Sequence, residues 1–175
     1  GGRINLFDNP RLLRLTEWFL HLLTPDESGF VPFSNCGRGT RFPGQFLFRM
    51  AREYGDGQAQ WMAQRMGSQG IFGFLWCDPD IAPKPPDDLP VAKIFEDLDW
   101  AVLRSRWGDP NATLFALKGG QKDWDHNHHD TNGFVLFAQG RPLIVDLLYP
   151  KEIWGCGTEA HNTIAVNGRD QRGTV

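Results

Sequence analysis

Of the 5 histidines in this 175-residue chain, four fall between His126 and His161, three of them inside Asp125-His126-Asn127-His128-His129-Asp130. Imidazole and carboxylate are borderline donors suited to Zn²⁺, which is held in a tetrahedron by four protein ligands, or by three with a water in the fourth position. Asp146 ends the apolar run Leu143-Ile144-Val145 and is followed by Leu147. A carboxylate in such surroundings is costly unless it is neutral, paired or bound to a cation. A hairpin turning near Gln139-Gly140 sets Asp146 across from about Gly133, which leaves His128 just beyond the strand end and able to fold back over it. His161 opens the next strand-like run, and its ring can converge on the same point. The ligand set that spacing favours is therefore His128, Asp146 and His161.

Spacing leaves other arrangements open. His128-x-Asp130 with His161 is the donor pattern of a facial triad holding Fe(II), although the interval to the distal histidine is short and no arginine sits in an obvious co-substrate position. His126-x-His128 followed by a carboxylate and a later histidine echoes a cupin, but Thr131 and Asn132 stand where the cupin glutamate usually falls. Histidines and aspartates on a loop also form plain solvated turns. Trp124 offers an aromatic face on which a sugar ring could stack.

These residues need elements to position them. Asn9-Pro10 is a good cap and first-turn pair, and Leu12, Leu13, Leu15, Trp18, Phe19, Leu22 and Leu23 predict a broad-faced helix that stops at Thr24-Pro25. Residues 26–42 are rich in Gly, Pro, Ser and Asn and read as a long irregular loop. Helices are predicted over about 45–54 and 58–66, parted by Gly55-Asp56-Gly57, with Tyr54 a helix-packing residue. Five prolines (79, 83, 85, 86 and 90) interleaved with aspartates break regular structure and mark a boundary. Three parts follow: helices over 1–77, a linker over 78–90, and strands over 91–175. Strands are predicted at 100–107, 112–118, 133–138, 142–149 and 161–166, as in an antiparallel β-sandwich.

Composition narrows the function classes. Hydrophobic residues make up 41% and charged residues 22%, which suits a dense folded core. With 18 Lys plus Arg against 21 Asp plus Glu, a net charge of -3 and no block of like charge, a nucleic-acid surface is disfavoured. No apolar run reaches the roughly 18 residues of a membrane span. The start at Gly1-Gly2-Arg3 reads as cut or processed, and both ends of the chain read as incomplete. The 3 cysteines, Cys36, Cys77 and Cys156, are too scattered for a disulfide framework and read as inert thiols.

The segment from His126 to Asp146, with its HxHxDxNxF pattern and closing hairpin, followed by Ala160-His161-Asn162-Thr163-Ile164-x-Val166-x-Gly168-x-x-Gln171, resembles the heparinase II/III-like polysaccharide lyases. That resemblance implies an α+β multidomain protein in which the end of an (α/α) toroid precedes an antiparallel β-sandwich, both incomplete here. It implies structural zinc on His128, Asp146 and His161, and β-elimination at a uronic acid. His126 would then face the substrate cleft, and Tyr149 would be a second catalytic contact, although Leu147-Leu148 departs from the usual neighbours of that tyrosine. Asp130 and Asn132 would brace the histidine loop, and Asn162 would satisfy backbone groups. The principal acid/base tyrosine and the carboxylate-holding Asn and His of the family belong to upstream helices. The implied partner is an acidic polysaccharide, with no nucleic acid or membrane and room for a homodimer, and the implied location is periplasmic or secreted. A carbohydrate-binding or structural sandwich module without catalysis is the competing reading.

Overall fold

A computed structural model describes residues 4–33, 36, 39–40, 44–67, 70–120, 128–146 and 157–171. The chain divides into two compact units, Gly1–His21 with Arg41–Asp88, and Leu22–Thr40 with Leu89–Val175.

The first unit is helical. After a 3₁₀ turn at Leu6–Asp8 come α1 (Pro10–Leu13), α2 (Leu15–Leu22), α3 (Gly44–Tyr54), α4 (Gly57–Met66) and α5 (Ile71–Trp76). Asn9 caps α1 by accepting from the Arg11 N–H at 3.0 Å, with Pro10 at the first helical position. The single long helix predicted there is interrupted at Arg14, whose N–H bonds back to the Arg11 carbonyl in a tighter i→i−3 closure before α2 begins. α3 and α4 follow the predicted bounds closely. Leu47, Met50 and Ala51 on α3, and Ala59, Met62, Ala63 and Met66 on α4, are buried at three- and four-residue spacing. Asp56 starts α4 by accepting from the Gln58 and Ala59 N–H groups at 2.9 and 3.1 Å. Tyr54 packs edge-on against Phe7 and donates to its carbonyl at 2.8 Å, the packing role its position suggested. α5 was not foreseen; it carries Ile71, Phe72, Phe74 and Leu75 exposed.

The second unit is built on one five-stranded antiparallel sheet in the order β1 (Ala92–Phe95), β2 (Trp100–Arg104), β3 (Leu114–Lys118), β4 (Gly133–Ala138) and β5 (Arg141–Ile144). Side chains alternate across a strand, so the register Val102↔Ala116↔Val135 and Arg104↔Leu114↔Phe137 puts these residues on one face, and all of them are buried. Residues 22–33 of the same unit supply Leu22, Leu23, Phe30, Val31 and Phe33 to this core. Phe33 meets Trp100 edge-on at 5.2 Å between ring centroids. Arg104 reaches inward from β2 to donate to the Leu23 carbonyl at 2.6 Å, and burial pushes its guanidinium down to about 10, still charged at neutral pH. The β4–β5 hairpin turns at Gln139 and Gly140, both with positive φ (53° and 72°), the geometry of a two-residue turn matched to strand twist.

Three strand predictions need correction, the first because β2 stops at Arg104 and does not run on to 107. β5 ends at Ile144, two residues short of Asp146, with 147–150 outside the described residues. Residues 161–166 form no strand: a 3₁₀ turn at Thr158–Ala160 leads into an irregular segment that, among the described residues, pairs through the isolated bridge Val166↔Arg169. The reason lies in its polar side chains. Asn162 donates to the Phe134 carbonyl at 3.2 Å and to the Val145 carbonyl at 2.7 Å, and Thr163 donates to the Thr131 carbonyl, so side chains take the acceptors a ladder would have used. Among the described residues no helix is long and apolar enough to cross a membrane.

Candidate metal centre

Three short pieces of the second unit converge at one end of the sheet: the loop 128–132 between β3 and β4, the residues just past β5, and the segment 158–171. Loop 128–132 is held to a tight course. The Asn132 N–H bonds to the Lys118 carbonyl at 2.8 Å with Asn132 in the left-handed region (φ 64°), and the Gly133 N–H bonds to the Asp130 carbonyl at 2.7 Å. A Cβ on Gly133 would stand 2.7 Å from that same carbonyl oxygen, so only glycine fits the approach.

Gln171 clamps the loop to the downstream segment. Its side-chain oxygen accepts from the Thr131 N–H at 2.8 Å, and its amide nitrogen donates to the Thr131 carbonyl at 3.1 Å and the Ile164 carbonyl at 3.1 Å. Thr158 completes the tie by donating to the His129 carbonyl at 2.8 Å while accepting from the Gln171 N–H at 2.7 Å. Asp170 accepts from the Thr158 N–H at 2.6 Å and meets His129 Nδ1 at 2.5 Å. Partial burial works against ionisation of Asp170, but hydrogen bonds from Thr158 and His129 and the attraction of His129 outweigh it and hold the carboxyl down to about 2.

Inside this clamp lie four buried polar side chains: His128 at 2% exposure, Asp130 at 1%, Asp146 at 4% and His161 at 9%. His161 Nδ1 meets Asp146 Oδ1 at 2.5 Å, and the His128 and His161 rings lie 5.1 Å apart between centroids. Ligand atoms of Asp130, Asp146 and His161, one from each, lie within 4.8 Å of one another. Burial, with the nearby His161 and Lys118, lowers the His128 pKa against the pull of Asp130 and Asp146, so its ring is neutral and offers a lone pair at neutral pH.

All three residues that spacing selected, His128, Asp146 and His161, are thus brought to one buried place. Asp130 stands with them rather than outside them, and its partner Lys118 (Nζ to Oδ1, 2.5 Å, both buried) had not been singled out. The signal for Lys118 was strand parity, since Leu114, Ala116 and Lys118 share the inward face of β3. Gln171 belonged to the recognised pattern without an assigned role. Asn162 satisfies backbone carbonyls, as read from the sequence. His126, Tyr149 and Trp124 lie outside the described residues.

The donor chemistry fits a divalent cation of the zinc type. If His161 Nδ1 carries the proton shared with Asp146, its Nε2 keeps a lone pair; among the described residues that atom is buried with no hydrogen-bond partner, as is Asp130 Oδ2. Such atoms are costly unless something satisfies them, and a bound cation would do so.

Residues 87–174 match the family described as heparinase II/III-like, C-terminal. The fold is similar over 91% of this chain to a solved heparinase III, at 18% identity and a TM-score of 0.64, covering 26% of that chain. It is likewise similar over 91% to heparan sulfate lyase HepC from Pedobacter heparinus, at 19% identity and a TM-score of 0.64, covering 24% of that chain. The chain therefore spans about a quarter of the length of these structures. With half of its residues matched, the chain belongs to the heparinase II/III-like family.

Proposed function

We propose that the polypeptide to which this chain belongs is a polysaccharide lyase that cleaves a uronic-acid-containing polymer, such as a glycosaminoglycan or alginate, by β-elimination. The helices over 1–77 are then the closing part of an (α/α) toroid, 78–90 a linker, and 91–175 the opening of a β-sandwich. Zinc bound by His128, Asp146 and His161 supplies a structural cross-link between the histidine loop, the end of β5 and the 158–171 segment. The carrying observation is the buried His–Asp–His convergence inside the region that matches the family.

The chemistry asks for removal of the C5 proton, neutralisation of the neighbouring carboxylate and protonation of the leaving glycosidic oxygen. Groups poised near neutral pH suit that work. His126, two residues before the buried His128 in the sequence, serves as a catalytic contact to the substrate. Tyr149 lies three residues past Asp146 and serves as the second substrate contact. An acidic substrate outside the cytoplasm accords with a periplasmic or secreted protein, and a homodimer belongs to the same reading.

The test is incubation of the full-length protein with glycosaminoglycans, alginate and ulvan while following absorbance of the unsaturated product. Turnover on one of them is expected, falling about 10²–10⁴-fold in His126→Ala. Retention of a polysaccharide with no product from any would instead establish a non-catalytic binding module.

A further inference from the structure

We infer that Asp130 is a fourth protein ligand of the metal centre, held in place by Lys118, and that the centre is therefore closed. This rests on the metal reading proposed above and extends it. Lys118 extends from the inward face of β3, in register with Gly133, and its ammonium meets Asp130 Oδ1 at 2.5 Å in a buried ion pair. One carboxylate oxygen is thereby occupied, and the other, Oδ2, is left buried with no hydrogen-bond partner among the described residues. A fully desolvated carboxylate oxygen in that state is costly. Asp130 shares its surroundings with His161 Nε2, a second buried atom with no hydrogen-bond partner among the described residues, and donor atoms of Asp130, Asp146 and His161 lie within 4.8 Å of one another.

Lys118 thus makes Asp130 a one-oxygen donor and acts as a positioning residue. With His128 the set becomes two imidazoles and two carboxylates, which fills a tetrahedron. Zinc sites with four protein ligands are structural, whereas catalytic sites keep a position for water or substrate. At exposures of 1% to 9% around the cluster, neither sugar nor bulk water reaches the metal.

The experiment uses the full-length protein stripped of metal and reconstituted with Co²⁺ alone, read by visible absorption with and without azide. The wild type is expected to bind one Co²⁺ with a four-coordinate spectrum that azide leaves unchanged; a shift on adding azide reveals an open position and overturns the inference. In the double variant Asp130→Asn with Lys118→Met, which removes both charges together, Co²⁺ affinity is expected to fall more than about 100-fold. That exceeds the 10–100-fold typical of losing a supporting hydrogen bond outside the ligand set. Whatever cobalt still binds is expected to respond to azide. Unchanged affinity and no azide response in that variant overturn ligation by Asp130 while leaving the three-ligand site intact. Failure of the wild type to bind cobalt or zinc at all overturns the underlying metal reading as well. The wild-type azide arm needs no variant to fold.

Discussion

Two histidine–aspartate contacts lie close together in this protein at the same distance. His161 Nδ1 meets Asp146 Oδ1 at 2.5 Å with side chains 0% and 4% exposed, and His129 Nδ1 meets Asp170 Oδ2 at 2.5 Å with side chains 42% and 47% exposed. Surroundings separate them. The inner pair has lost its water, so either partner left alone is a buried polar group with nothing to answer it. The outer pair can exchange its partner for solvent at little cost and is screened by salt. His128 and His129 are sequence neighbours, yet one ring is buried in the donor cluster and the other lies outside among surface ties. The outer contact helps tie down the segment that carries His161, and the inner one supplies donor atoms under the proposed function.

The comparison breaks if the two pairs respond alike to mutation. The largest effect is expected from His161→Ala, which leaves Asp146 buried and unpaired: metal content falls to background and stability drops by about 3–5 kcal/mol in denaturant unfolding. Lys118→Met ranks next, at about 3 kcal/mol, because it strands Asp130. Adding Asp130→Asn should recover part of that loss, and a double-mutant cycle measures the coupling. Additive effects would show that Lys118 and Asp130 do not depend on each other. Gln171→Ala is expected to cost about 1–3 kcal/mol by stranding the Thr131 N–H that its side-chain oxygen serves, while the Thr131 carbonyl keeps its bond from Thr163. A smaller loss would mean the loop holds its course without the clamp.

Much of this arrangement was legible in the sequence where local physics decides it. The α3 and α4 helices follow from apolar spacing between Gly turns, and the β4–β5 hairpin follows from Gln139-Gly140. The buried pairing of Asp146 with His161 was legible because a carboxylate in an apolar run needs a partner. The break at Arg14 was not, since a one-residue change from i→i−4 to i→i−3 bonding leaves no mark on an amphipathic pattern. The strand predicted at 161–166 failed because Asn162 and Thr163 spend their hydrogen bonds on distant backbone, which periodicity does not register. Lys118 was readable by parity on β3 but looks like a strand terminus until Asp130 is placed against it in space.

The smallest effects belong to the outer pair and give the comparison its sharpest edge. His129→Ala is expected to cost no more than about 1 kcal/mol, less with added salt. Its acid dependence is carried by Asp170, whose carboxyl sits at about 2 in the folded chain, below the ordinary value of about 3.9. Between those values the unfolded chain binds more protons, so the stability that Asp170 contributes is fully present above about pH 4 and is lost as the pH falls through about 2. Thermal melts of the wild type and Asp170→Asn from pH 6 to pH 2 should therefore differ by a small gap that narrows toward the acid end. A gap that stayed constant with pH would mean the Thr158 N–H is satisfied as well by a neutral amide, and that charge at the surface contributes nothing to holding the segment that carries His161.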